Sequence, residues 1–146
     1  MNKFLFSLLL ISSSVIINAQ TPNNTKGPLD GKTFIVDIFK EGKKKPYVDA
    51  DELKFNTGKF KSKYFTEWGF AKAGKYQITS VDSTSGATKT ISWTTETTSD
   101  IKETMTWTGT INGEDIDGTS EIVNEKGETK YSFTFTGKLK GKAAKK

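Results

Sequence analysis

Two acidic groupings carry most of the oxygen chemistry this chain has at close spacing: Asp49, Asp51 and Glu52, and then Glu114, Asp115 and Asp117. Carboxylates gathered like this can hold a calcium ion, and a pair set across a cleft can hydrolyse a glycosidic bond. Neither chemistry is well served here. Setting Gly118 at the glycine position of an EF-hand loop puts Gly113 where the first acidic ligand belongs. Asp117 and Glu121 alternate with apolar neighbours, which turns them toward solvent rather than into a cleft. Acids on exposed turns serve solubility, and that reading suits both groupings. The chain also has no histidine and no cysteine. Ser-His-Asp and Cys-His catalysis and the usual zinc and copper ligand sets are therefore excluded. Nothing in the sequence supports an enzyme, a bound metal or a cofactor.

The residues better suited to recognition are aromatic. Tyr64, Tyr76, Trp93, Trp107 and Tyr131 each join a broad apolar face to a hydrogen-bond donor. With Phe34, Val36, Met105 and Phe133 they make a set from which an apolar ligand cavity can be lined. Ser62, Ser80 and Ser120 fall on the same faces. Trp68 and Phe70 flank Gly69 between two strand-like runs, where a rim over a cavity mouth is expected.

What must position these residues is a series of short alternating runs, near 32–40, 50–56, 59–66, 75–82, 87–95, 101–111, 116–123 and 129–139. Gly, Asn and Asp punctuate them, and no helical period is sustained anywhere, so the pattern predicts an all-β meander. Pairing can be tested because both members of a hairpin bury the same face. A Gly113-Glu114 loop sets Ile111 opposite Ile116, Trp107 opposite Ser120 and Met105 opposite Ile122. Glycine then occupies the first loop position, as a type II′ turn requires. A loop over Glu125 to Glu128 pairs Ile122 with Tyr131, Ser120 with Phe133 and Gly118 with Phe135. Thr57-Gly58 brings Phe55 opposite Phe60, and a Thr84-Ser85 loop would pair Ile78 with Ile91 and Tyr76 with Trp93.

A sheet of this length with one apolar face must close on itself to bury it, and consecutive hairpins favour an eight-stranded antiparallel up-and-down barrel. Gly109, Gly118 and Gly137 fall on the inward rows, where they permit sharp coiling and leave space beside Phe135. The opening Leu29-Asp30-Gly31-Lys32-Thr33-Phe34, followed by this meander, resembles the lipocalin and calycin group. More closely, it resembles small exported lipocalin-like proteins of bacteria, over roughly Leu29 to Leu139 and by topology rather than by strict motif. Thr33 stands where those proteins carry tryptophan, and the chain lacks the arginine that packs on it. What the resemblance implies is a barrel with an interior ligand cavity.

Residues 1–19 have the layout of a secretory signal: Lys3, an apolar run from Phe4 to Ile17, and Ala19 before the cut. Residues 20–28 then form a flexible leader, 29–140 the barrel domain and 141–146 a basic tail. The expected protein is exported, periplasmic or secreted, without a lipid-accepting cysteine or a stable membrane anchor. Its formal charge of +5 is matched by Lys138, Lys140, Lys142, Lys145 and Lys146 near one end. With no arginine to read phosphate or guanine in two-pronged fashion, nucleic acid is not an expected partner.

Two functions remain open at this level. One is non-covalent binding of a small, hydrophobic molecule inside the barrel. The other is a filled barrel that binds a protein, glycan or envelope component through its outer surface, with Phe39, Phe65, Trp68 and Phe70 as exposed contacts.

Overall fold

Strand formation follows the period-two pattern. Val, Ile, Phe, Trp and Met take the buried positions while Thr, Lys, Asp and Glu take the wet ones, so each strand has one face to hide. The computed structural model describes residues 27–83 and 89–141. The expected signal segment, most of the leader, the Thr84-Ser85 loop and all of the tail but Gly141 lie outside them.

The strands are β1 (Lys32–Lys40), β2 (Val48–Asn56), β3 (Lys59–Ser62), β4 (Gly74–Asp82), β5 (Thr90–Thr98), β6 (Thr104–Asn112), β7 (Asp115–Val123) and β8 (Thr129–Leu139), with a short helix α1 (Lys63–Glu67) between β3 and β4. Neighbours in sequence are neighbours in the sheet, and β1 also pairs with β8, giving a closed antiparallel barrel. Closure gives every strand a neighbour on both sides, although β3 and β4 share only the pairs Lys59–Lys75 and Phe60–Gly74. This is the eight-stranded up-and-down barrel, a fold consistent with the lipocalin-like architecture.

Three of the expected hairpin registers are present. Ile111 faces Ile116 and Gly109 faces Gly118 across β6 and β7. Ser120 faces Phe133 across β7 and β8, and Phe55 faces Phe60 across β2 and β3. Gly113 has φ of 63°, as the first loop residue of a type II′ turn must, and Thr57 and Gly58 are both left-handed, at 52° and 71°.

The fourth register is different. Ile78 pairs with Trp93 and Tyr76 with Thr95, two residues on from the expected match. An irregularity between Ile78 and Ser80 shifts the ladder, and it leaves Ser80 exposed. The slip is even-numbered, so Trp93 keeps its inward facing.

The expected strand at 59–66 is also corrected, because it stops at Ser62. The Ser62 hydroxyl accepts the backbone N–H of Phe65 at 3.1 Å, an N-cap that starts α1. The helix ends in a Schellman motif. Phe70 N–H reaches the carbonyl of Phe65 at 3.0 Å, Gly69 N–H reaches that of Thr66 at 3.4 Å, and Gly69 has φ of 101°. The ring contact between Phe65 and Phe70 completes it, with centroids 6.5 Å apart. Helical winding turns Phe65 inward and buries it together with Phe70, whereas the sequence suggested an exposed Phe65 and a rim position for Phe70.

Candidate functional site

Aromatic rings meet across the barrel axis. Phe55 lies 4.9 Å from Trp93, Phe60 lies 5.1 Å from Trp107, and Trp107 lies 5.4 Å from Phe135, centroid to centroid. Phe34, Val36, Trp93, Met105 and Trp107, expected to line a cavity, are buried within this cluster. Nor do the glycines leave a void. A Cβ on Gly118 would lie 2.2 Å from the Thr108 carbonyl oxygen and 2.6 Å from the Phe135 ring. The space expected beside Phe135 is taken by Phe135 itself.

Both ends are capped. At the end where β1 starts, Leu29 is fully buried and the Asp30 carboxylate accepts the Gly58 N–H and the Tyr76 hydroxyl, each at 2.8 Å. Burial, and then the Asp30 charge, push the Tyr76 phenol up to about 12. Tyr76 is thus a latch on the turn that closes this end. At the other end α1 lies across the mouth, with Phe65 5.7 Å from Trp107 and 5.5 Å from Phe133.

The helix is held there by Asp51, an acid whose exposure the sequence misjudged. Asp51 points inward from β2, is buried, and accepts the Ser62 hydroxyl at 2.5 Å and the Tyr64 N–H at 2.9 Å. Desolvation raises its carboxyl above the usual range, against the pull of those hydrogen bonds. The other acids of the two groupings disperse over the surface: Glu52 pairs with Lys140 at 3.0 Å, and Asp115 with Lys138 at 2.9 Å. Among the described residues no group of three or more acids stands together to hold a metal.

The aromatic cluster does not stop at the core. It continues through Phe133 to the mouth, where Trp68 is 40% and Tyr131 37% exposed. Tyr131 therefore stands at the surface rather than within the barrel, and Tyr64 belongs to α1 rather than to a strand. Tyr47 joins them from the connection before β2. It stacks on Phe133 at 5.7 Å, meets Tyr64 edge-on at 6.1 Å, and meets Trp68 edge-on at 6.0 Å. Trp68 lies edge-on to Tyr131 at 6.1 Å. Burial first, and then the neighbouring Tyr64 phenol, raise the Tyr47 phenol to about 12. Lys40 completes the group, its ammonium 4.3 Å from the centre of the Tyr47 ring and 5.5 Å from that of Tyr131.

Tyr64, Tyr131, Phe133 and Trp68 of the expected set are thus brought together, whereas Tyr76 is at the far end and the remainder fill the core. Tyr47 and Lys40 were missed. Lys40 had a readable signal, because it continues the even-numbered inward row of Phe34, Val36 and Ile38. Tyr47 lies in a turn-like KKKPY segment, outside any alternating pattern. No family model matches the chain, and neither the curated proteins nor the solved structures give a match.

Proposed function

We propose that this chain is an exported, non-enzymatic binding barrel of the lipocalin-like kind, and that it takes a small, largely apolar molecule at its aromatic mouth. The observation that carries the reading is the half-exposed patch of Trp68 and Tyr131, continuous with Tyr47, Tyr64 and the buried Phe133. Trp and Tyr rings with wet edges give large contact area at low entropy cost, and their donors fix a ligand's orientation. The interior is an unfavourable place for the same molecule, since its own rings occupy it and Phe65 stands in the entrance. Export rests on the signal-like run of residues 1–19.

A dye whose fluorescence rises in apolar surroundings tests this directly. It should bind the purified protein saturably at one site, and Trp68→Ala should abolish binding while leaving the protein folded. Binding unchanged by Trp68→Ala would remove the mouth from consideration.

One observation favours the interior as a second reading. The indole N–H of Trp93 and the hydroxyl of Ser120 are buried without a hydrogen-bond partner among the described residues. Each such group costs about 1–3 kcal/mol, and a ligand admitted by displacement of α1 would satisfy them. In that case Trp93→Phe, which keeps an aromatic six-membered ring but loses the pyrrole and its N–H, weakens dye binding and Trp68→Ala does not.

A further inference from the structure

Trp68 stands steeply to the two tyrosine rings that flank it at the mouth. Tyr47 and Trp68 are inclined at 85°, and Trp68 and Tyr131 at 70°. Phe133 stacks with both tyrosines, at 30° and 25°. Rings set at steep angles around one point offer their negative faces to a cation from several sides. A cation is already present in the form of the Lys40 ammonium, which lies over both tyrosines. Lys40 reaches it from the last residue of β1, where it pairs with Phe133 of β8. The neighbouring Lys130 is engaged elsewhere, with Glu103.

We propose that the mouth is a cage for a quaternary ammonium group, and that Lys40 is its internal stand-in, displaced when the ligand binds. This rests on the mouth being the binding site, and it names the ligand class. A primary ammonium is compact and strongly hydrated, so it gains little from leaving water for aromatic faces. A trimethylammonium group carries the same charge over an apolar shell that matches the rings, and it loses less hydration on entry. Lys40 is only half-buried and hangs on a flexible stem, so it can swing into solvent and yield its place. The Tyr47 phenol, raised to about 12 chiefly by burial, stays neutral at physiological pH, so this ring meets a cation with its face and not with phenolate charge.

The test uses choline and tetramethylammonium chloride against 3,3-dimethylbutan-1-ol, the uncharged isostere of choline, at constant ionic strength. Binding is followed by saturation transfer to the methyl protons and by tryptophan fluorescence. Choline and tetramethylammonium should bind at one site, at least tenfold more tightly than the neutral alcohol, and should displace the apolar dye. Lys40→Ala should tighten choline binding several-fold, while Trp68→Ala and Tyr131→Ala should each weaken it tenfold or more. Equal binding of the alcohol, or no gain in Lys40→Ala, overturns the cation cage. If the dye binds in a Trp68-dependent way and choline leaves it in place, the mouth remains the site and the cation assignment alone falls. Failure of both dye and cations removes the two together.

Discussion

The ring of Phe65, from α1, lies 5.7 Å from the indole of Trp107 at an interplanar angle of 76°. A residue outside the strands thus packs edge-on against the centre of the barrel core, and the two behave as one hydrophobic unit. Deleting either should leave a cavity that rigid strands cannot collapse around. Phe65→Ala and Trp107→Ala are each expected to cost about 3–5 kcal/mol. Denaturant unfolding of the two variants checks this. A loss well under 1 kcal/mol at Phe65 would mean that α1 is a loose cover and not part of the core.

Gly118 faces Gly109 across β6 and β7, and the crossing is too tight for any side chain. A Cβ on Gly118 would meet the Thr108 carbonyl oxygen at 2.2 Å and the Gly109 Cα at 2.6 Å. Both obstacles are backbone, which cannot step aside without breaking the ladder. Gly118→Ala should therefore be severely destabilising, by several times the roughly 0.5–1 kcal/mol gained elsewhere when a strand glycine becomes alanine. Thr119→Ala, on the neighbouring exposed position, should stay within about 0.5 kcal/mol. Thermal melts of the pair decide it, and equal melting temperatures would contradict the register.

This pair also shows how much could be read from the sequence. Gly109 and Gly118 face each other because Ile111 must face Ile116, and one buried face with one turn type leaves a single register. The same logic located the β2–β3 and β7–β8 hairpins. It misplaced the β4–β5 pairing because the ladder begins with Asp82 opposite Thr90, three residues on from what a Thr84-Ser85 loop would give, and the irregularity between Ile78 and Ser80 takes back only one. It missed α1 because a one-turn helix has no period to detect; its signals are the Ser62 cap and the Gly69 stop, which also suit an ordinary turn. The mouth was half legible for a related reason. Trp68 and Tyr131 were visible as aromatic residues, but their gathering with Tyr47 and Lys40 depends on how α1 and the 41–47 connection fold over the barrel end. Whether the rings line a cavity or fill it depends on volumes, which alternation does not encode.

Two phenols, Tyr47 and Tyr76, are raised to about 12 from an ordinary 10.0, in each case chiefly by burial. The folded state holds these protons more tightly than the unfolded chain does. Their contribution to stability is therefore complete below pH 10 and is lost as pH rises toward 12. Alkaline titration followed by phenolate absorbance should show part of the signal delayed beyond pH 10 in the native protein, and none delayed in concentrated urea. Tyr76→Phe should remove part of the delayed signal and loosen the turn that Asp30 ties down. Superimposable native and denatured curves would show that neither phenol is sheltered.

Asp51 should give stability the same sign of pH dependence, at the acid end of the scale. Its carboxylate is buried, receives the Ser62 hydroxyl and the Tyr64 N–H, and has its pKa raised above 3.8, first by desolvation. A raised value means that the folded state prefers the neutral acid. The stabilisation from that preference is complete below pH 3.8 and disappears as pH rises through the higher native value. Asn is neutral throughout and can still accept from the Tyr64 N–H, so Asp51→Asn should lack this dependence. Relative to the wild type it should gain stability as pH rises from about 4 to 7. Asp51→Ala leaves the Ser62 hydroxyl and the Tyr64 N–H without their acceptor, and should lose about 1–3 kcal/mol at every pH. Urea midpoints for the three proteins across that range provide the measurement. Parallel curves for wild type and Asp51→Asn would show that the carboxylate is solvated, and that α1 is held over the mouth by its aromatic packing alone.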